Sequence, residues 1–218
     1  MTNSGTDLTS ELLCLKALGI RELYVDSIHS EAVNPEDRLR TIADDVTVCT
    51  RCRLSRNRIH AVPGEGNPAA ELMFVGEGPG GDEDRQGRPF VGAAGELLEK
   101  IIQAMTLQRE DVFISNIVKC RPPSNRNPQE DECAACIPYL REQIQVIQPR
   151  VIVTLGAVAA CVLLDTDQGI SSVRGMLWDL NGIKVMPTYH PAYLLRTPSA
   201  KKDVWSDMKQ VMSILGLS

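Results

Sequence analysis

Two C-x-x-C pairs, Cys49/Cys52 and Cys133/Cys136, and a further Cys120 between them account for five of the seven cysteines in 218 residues. An odd count at this density fits a reducing compartment better than a disulfide framework, and thiolates kept reduced serve a metal or a nucleophile. Four thiolates from separated pairs point to a metal site. Their spacing leaves zinc and a 4Fe-4S cluster both open, and leaves open whether Cys133 or Cys120 joins Cys136. Cys14 and Cys161 lie in apolar helical contexts and read as core fillers.

Other candidate groups end apolar runs. His190, one of three histidines, closes "IKVMPTYH" and is followed by Pro191. Glu77 follows "LMFVG" and Asn116 follows "DVFIS". Alone, such a histidine is more often a satisfied core residue. Three polar residues ending three strands form a set, because ligands of open parallel sheets bind at the carboxyl ends of the strands.

The segment "GEGPGGDEDRQGRPFVG", residues 76–92, follows a strand and is rich in glycine. It lacks the Lys-Ser/Thr of a P-loop and the G-x-G-x-x-G dinucleotide pattern. Glu77, Asp82, Glu83 and Asp84 would also repel a phosphate. Its glycines suit the close approach of backbone to a flat, neutral ligand. Phe90, one of three phenylalanines, reads by itself as a packing anchor.

Net charge is −5, and residues 1–45 carry all of it with nine acids and four bases. The remaining body is neutral, yet "RCRLSRNRIH" at 51–60 concentrates Arg51, Arg53, Arg56 and Arg58 without an acid. Such a patch can hold phosphates, although charge alone favours an ordinary solvated face. No apolar run approaches the ~20 residues of a membrane span. The N-terminus lacks the features of a secretory signal, so a cytoplasmic protein is expected.

The elements that must position these groups follow from periodicity. Residues 1–45 read as an acidic, partly helical extension, with Leu8, Leu12, Leu15 and Leu18 at helical spacing; residues 46–218 read as one domain. Strands are expected at "ELMFVG", at 111–120 and at 150–156. Helices are expected at 92–105, at 128–147 (opened by Pro128), and from about 200 to 215. Asn181-Gly182 between two apolar runs predicts a hairpin. Strands alternating with helices predict a single-domain α/β fold of three layers, α/β/α, with a central, mostly parallel sheet.

Together these motifs resemble the family 4 uracil-DNA glycosylases, from about Cys49 to the C-terminus. "GEGPGGDEDRQGRPFVGAAGELL" is similar to the first motif of that family, "SNIVKCRPPSNRNPQEDECAAC" to its second block and "HPAYLLR" to its last. The resemblance implies a DNA repair enzyme that flips uracil out of DNA and hydrolyses its N-glycosidic bond. It implies a structural 4Fe-4S cluster on Cys49, Cys52, Cys120 and Cys136. It places the uracil pocket at Glu77, Gly78, Glu83, Phe90, Asn116 and His190.

In that frame Phe90 stacks on the base, and Asn116 offers donor and acceptor to uracil O4 and N3–H, a pattern that cytosine reverses. The Gly80–Glu83 loop is the candidate wall against the thymine methyl. His190 donates to O2 as charge develops, and Glu77 is a candidate to orient water. Leu194, with Leu195 as the near alternative, is expected to wedge into the base stack. Arg196, Arg51, Arg53, Arg56 and Arg58 are expected on phosphates. "NIVKCRPPSNRNP" holds no insertion rich in lysine and arginine and no histidine of a covalent trap, so a turnover enzyme is expected, with a monomer as the default state. The rival from another class is a non-catalytic, cluster-bearing DNA-binding module.

Overall fold

Four fully or largely buried apolar runs make the centre of the computed structural model, which describes residues 34–217. They are β2 (Leu72–Gly76), β3 (Phe113–Asn116), β4 (Val151–Leu155) and β6 (Ile183–Thr188). They pair in parallel in the order β3-β2-β4-β6. Short strands β1 (Glu65–Gly66) and β5 (Trp178–Leu180) close the two edges antiparallel. The sheet is therefore mixed but mostly parallel, as its hydrophobic runs predict. Asn181 and Gly182 both take positive φ, 54° and 92°, and turn β5 into β6, as expected for a two-residue hairpin loop.

Alternation along each strand sends side chains to two different layers. Met73 and Val75 pack with Ile42, Val46, Leu140 and Ile144, which belong to α1 (Pro35–Val48) and α4 (Glu130–Ile147). On that side lies also α5 (Ala157–Leu164). Leu72 and Phe74 pack with Leu98, Leu194 and Met208 from α3 (Ala93–Ala104), α7 (Pro191–Arg196) and α8 (Lys201–Leu215). Two short helices, α2 (Gly81–Gln86) and α6 (Ile170–Val173), complete the connections. The result is the α/β/α arrangement expected from the sequence.

Helix α1 starts at a clear signal: the Asn34 side chain accepts the Glu36 N–H at 3.1 Å, and Pro35 opens the first turn. It runs through position 45. The helix expected around Leu8–Leu18 lies outside the described residues. Strand β3 ends at Asn116 rather than 120, because the chain leaves the ladder after Ile117 and Val118 bond to the Gly76 and Glu77 carbonyls. The Lys119 N–H turns instead to the Cys136 sulfur, at 3.3 Å. Helix α4 begins two residues later than expected. Gln129 caps it, its N–H received by Glu132 at 2.8 Å, so Pro128 precedes the cap.

Parallel register brings the strand ends to one rim. Gly76 stands opposite Asn116, and Leu155 opposite Thr188. Strand order reverses between β2 and β4, whose connections leave in opposite directions, and this is where such sheets form a crevice.

Candidate functional site

At that rim lies a cavity of about 510 Å³, and Glu77, Phe90, Asn116, His190, Tyr193 and Arg196 are among its lining residues. Asn116, the last residue of β3, is 1% exposed, and its Oδ1 has no hydrogen-bond partner. A buried acceptor left open in this way marks a place for a ligand donor. Gly76 makes the arrangement possible. A Cβ there would stand 2.4 Å from Asn116 Oδ1 and 2.6 Å from Phe90 Cζ.

Phe90 holds a left-handed backbone, φ 51°, which a bulky residue adopts only when its surroundings enforce it. Gly95 permits this, since a Cβ there would come within 2.0 Å of the Phe90 carbonyl oxygen. Arg109, paired with Glu65 at 2.8 Å, donates to the carbonyls of Pro89 and Phe90. The ring then faces His190, with centroids 5.6 Å apart and planes 29° from parallel.

His190 is the N-cap of α7, and its Nδ1 accepts the Ala192 N–H at 3.0 Å. That bond requires an unprotonated Nδ1 and so assigns the proton to Nε2. Burial, and then the Arg196 charge, push its pKa down to about 4 against an opposing effect of Glu83. The imidazole is therefore neutral near pH 7, with an Nε2–H to donate. The strand end before it is anchored by Thr188, whose hydroxyl donates to Asp207 at 2.6 Å, while Arg174 pairs with the same carboxylate.

Glu77 lines the same cavity, and burial raises its carboxyl pKa above the ordinary value. Its side chain makes no hydrogen bond or ion pair among the described residues. Gly78 beside it is a tight place, because a Cβ would meet Val118 Cγ2 at 2.6 Å. Glu83 also lines the cavity, but its oxygens are occupied by the N–H groups of Val91 (2.9 Å), Gly92 (3.0 Å) and Gly80 (3.1 Å). It folds the loop around Phe90 rather than reaching into the space.

Leu194 requires a correction. It is 1% exposed and packs in the core with Leu98 and Met208, so it cannot enter a DNA base stack. Successive helical residues point about 100° apart, and it is Leu195, at 48% exposed, that faces solvent. Arg196 is exposed at the cavity mouth.

The basic stretch divides. Arg53 pairs with Asp131 at 2.9 Å and with Glu132 at 3.0 Å. Arg58 donates to Cys120 Sγ at 3.0 Å and to the Thr47 carbonyl at 2.6 Å. Both guanidinium groups thus have partners within the fold, which a free basic patch would not. Arg51 lies over the Tyr139 ring at 4.6 Å and remains exposed. Arg56 is exposed and without an ion pair among the described residues.

Cys49, Cys52, Cys120 and Cys136 line one small cavity together with Tyr139 and Lys119, and Cys133 is not among its lining residues. Burial raises the Cys136 thiol to about 11 and raises Cys120 too, against the opposing Arg58 charge. Among the described residues, no three His, Cys, Asp or Glu side chains converge on a single-ion position.

Three residues of this region carry no signal in the sequence. Lys119 is 1% exposed, and burial brings its pKa down to about 8. Glu132 is buried and binds Arg126 at 2.7 Å as well as Arg53, joining the cavity wall to the cysteine loop. Arg126 foremost, with backbone donation from Gln129 and the Arg53 charge, holds its pKa at about 2. Arg109 supports Phe90 from behind. Each looks like a surface charge in a string of letters.

Among the described residues no helix is long and apolar enough to cross a membrane. The profile of the Uracil DNA glycosylase superfamily matches residues 63–209. A Type-4 uracil-DNA glycosylase of Saccharolobus solfataricus is 48% identical over 188 residues, covering 82% of this chain and 87% of that protein. One from Thermotoga maritima is 46% identical over 184 residues, 83% of this chain and 96% of its own. Similarity to a Type-5 uracil-DNA glycosylase of Pyrobaculum aerophilum is lower, 32% over 152 residues, 61% and 66% of the two chains.

Proposed function

This chain belongs to the uracil-DNA glycosylase superfamily and excises uracil from DNA in repair; we propose which of its residues read the base, break the bond and hold the cofactor. The observation that carries the assignment is the unpartnered Oδ1 of buried Asn116, at the floor of a cavity shared with Phe90 and His190. An enzyme working on a base takes it out of the stack and grips its edge and faces. Phe90 supplies the face. Asn116 Oδ1 accepts uracil N3–H, and its amide donates to O4. Cytosine offers an acceptor and a donor at those positions, and a buried mismatch costs ~1–3 kcal/mol. The turn from Gly80 to Glu83, pinned by the three bonds of the Glu83 carboxylate, forms the wall against a 5-methyl group.

Rupture of the N1–C1′ bond leaves the electron pair on the uracil ring. Neutral His190 donates its Nε2–H toward O2 as that charge develops, already oriented by the Nδ1 bond to Ala192. The water that adds at C1′ is oriented by Glu77, with its unengaged carboxyl, and Gly78 contributes its backbone at the ring edge. Leu195, exposed beside Arg196, fills the gap that the base leaves, and Arg196, Arg51 and Arg56 contact phosphates.

The four cysteines around the small cavity fit a 4Fe-4S cluster. Ligands of one tetrahedral zinc lie about 3.8 Å apart, following from Zn–S bonds of about 2.3 Å. A cubane of four irons takes thiolates spread more widely, and among the described residues no three His, Cys, Asp or Glu side chains converge on a single-ion position. When bound, the cluster supplies structural cross-linking between the residue 49–52 loop, the end of the β3 segment and α4. A cytoplasmic location belongs to the same reading, supported by free cysteines among the described residues.

The test is incubation of the protein with an end-labelled oligonucleotide carrying one uracil, followed by alkaline cleavage of abasic sites. Scission at uracil, absent with thymine or cytosine at that position, is the expected result. Binding without scission would overturn the assignment in favour of a DNA-binding module.

A further inference from the structure

Between the cysteine cavity and the base cavity lies Lys119, whose ammonium is out of contact with water at 1% residue exposure. Its Nζ donates to Ser115 Oγ at 2.5 Å, to the Asn116 carbonyl at 2.8 Å and to Gln143 Oε1 at 2.9 Å. These three acceptors use all three protons of the ammonium, and all three are neutral. Among the described residues no carboxylate touches it. A buried cation without a counter-charge is costly, so something nearby must compensate. The Lys119 backbone N–H meets the Cys136 sulfur at 3.3 Å, and its next neighbour in sequence is Cys120. A cluster held by four thiolates is net negative and provides that compensation when bound.

What the ammonium grips is the backbone of the base reader. The Asn116 amide oxygen has no partner of its own, so its aim comes from its main chain. Recognition groups must hold their geometry to within about 0.5 Å to discriminate. Ser115 and Gln143 extend the same brace, since Gln143 accepts from Ser115 at 2.9 Å and donates to the Pro63 carbonyl at 2.8 Å.

We propose that Lys119 is a positioning residue for base selection: it clamps the Asn116 carbonyl with its side chain and the Cys136 sulfur with its backbone, so that the cysteine site and the base-reading strand end are held as one unit. The proposal rests on the reading of Asn116 as base reader. A Lys119 that only filled the core would affect stability and leave base preference untouched.

The experiment uses the cluster-loaded protein and a fluorescently labelled single-stranded oligonucleotide with one 2′-fluoro-2′-deoxyuridine, whose glycosidic bond resists cleavage. Anisotropy compares its affinity with that of the same strand carrying deoxycytidine. Lys119→Met is expected to lower this preference at least fivefold, with iron content and deoxycytidine-strand affinity within twofold of wild type. In an Asn116→Ala background the same substitution is expected to change the preference less than twofold, since a brace for a missing amide has nothing to aim. A loss below fivefold in folded, loaded Lys119→Met overturns the proposal, as does an equal loss in both backgrounds. If Asn116→Ala alone keeps the wild-type preference, the base-reader assignment fails and the proposal with it. If Lys119→Met does not load iron, Ser115→Ala decides: a threefold or greater loss of preference supports the brace, and a smaller one overturns it.

Discussion

The cavity at the strand ends and the neighbouring cysteine-bearing face both gather polar side chains in half-buried places, and they treat them in opposite ways. At the cavity, Asn116 Oδ1 is unpartnered, Glu77 makes no side-chain bond among the described residues, and His190 spends one ring nitrogen and keeps the other. On the cysteine side, Arg53 is divided between Asp131 and Glu132, Arg58 between Cys120 and Thr47, and Glu132 between two arginines and a backbone N–H. Hydrogen-bonding capacity left unspent in the lining of a cavity is available to a ligand, because leaving it open costs stability. Capacity that is fully spent belongs to the architecture. The contrast predicts which substitutions abolish chemistry and which loosen the fold.

The largest expected effect is at His190. If His190 is the donor to the leaving base proposed above, single-turnover excision by His190→Ala should fall about 100- to 1,000-fold with the melting temperature little changed. A comparable loss of Tm would move His190 to the architectural side.

Next comes the proposed cluster. Cys120→Ser should lose most of the bound iron and melt at a lower temperature, whereas Cys133→Ser, outside the small cavity, should keep its iron and its activity. Iron and sulfide assays on the two variants decide, and the reverse pattern would exchange the two cysteines as ligands.

A pH series sharpens the contrast within the cavity itself. His190 is held near 4, below its ordinary value of 6.5, so its neutral form is native and the rate should show no His190 inflection near pH 6.5. Between those values the unfolded chain binds the proton more readily. The stabilisation is complete above 6.5 and is lost as pH falls toward 4, so wild type should lose Tm more steeply than His190→Ala across that window. Glu77, raised by burial, should set the acid limb of the rate above the ordinary carboxylate range, and Glu77→Gln should remove that limb.

The smallest effect is expected at the wedge. Leu195→Ala should slow excision from duplex DNA about tenfold, a part of the few kcal/mol that unstacking costs, and change the single-strand rate much less. Leu194→Ala should leave a cavity in the core and act on stability, with a cost of ~2–5 kcal/mol.

Much of this was legible in the letters, for reasons that differ by residue. Buried runs such as "LMFV" and "VIVTL" identify strands covered on both faces, and Asn181-Gly182 fixes a hairpin by its backbone requirement. Those features in turn located the rim, and Glu77, Asn116 and His190 with it. Leu194 and Leu195 were not separable, because a six-residue helix is too short for periodicity to set its phase. Arg53 and Arg58 read as a free basic patch, since their partners Asp131, Glu132 and Thr47 come together only in the folded chain. Lys119 and Glu132 were invisible for the complementary reason. A buried charge in a satisfied network has the same letter as one in solvent.

The most direct test of the contrast is a paired single-turnover measurement on Asn116→Ala and Arg53→Ala, both loaded with iron and both followed by thermal melting. The account predicts that Asn116→Ala loses at least about 100-fold in uracil excision with an unchanged Tm. It predicts that Arg53→Ala keeps its rate within about threefold while its Tm falls by several degrees. An Asn116→Ala enzyme of normal rate, or an Arg53→Ala enzyme that is stable and inactive, would contradict it.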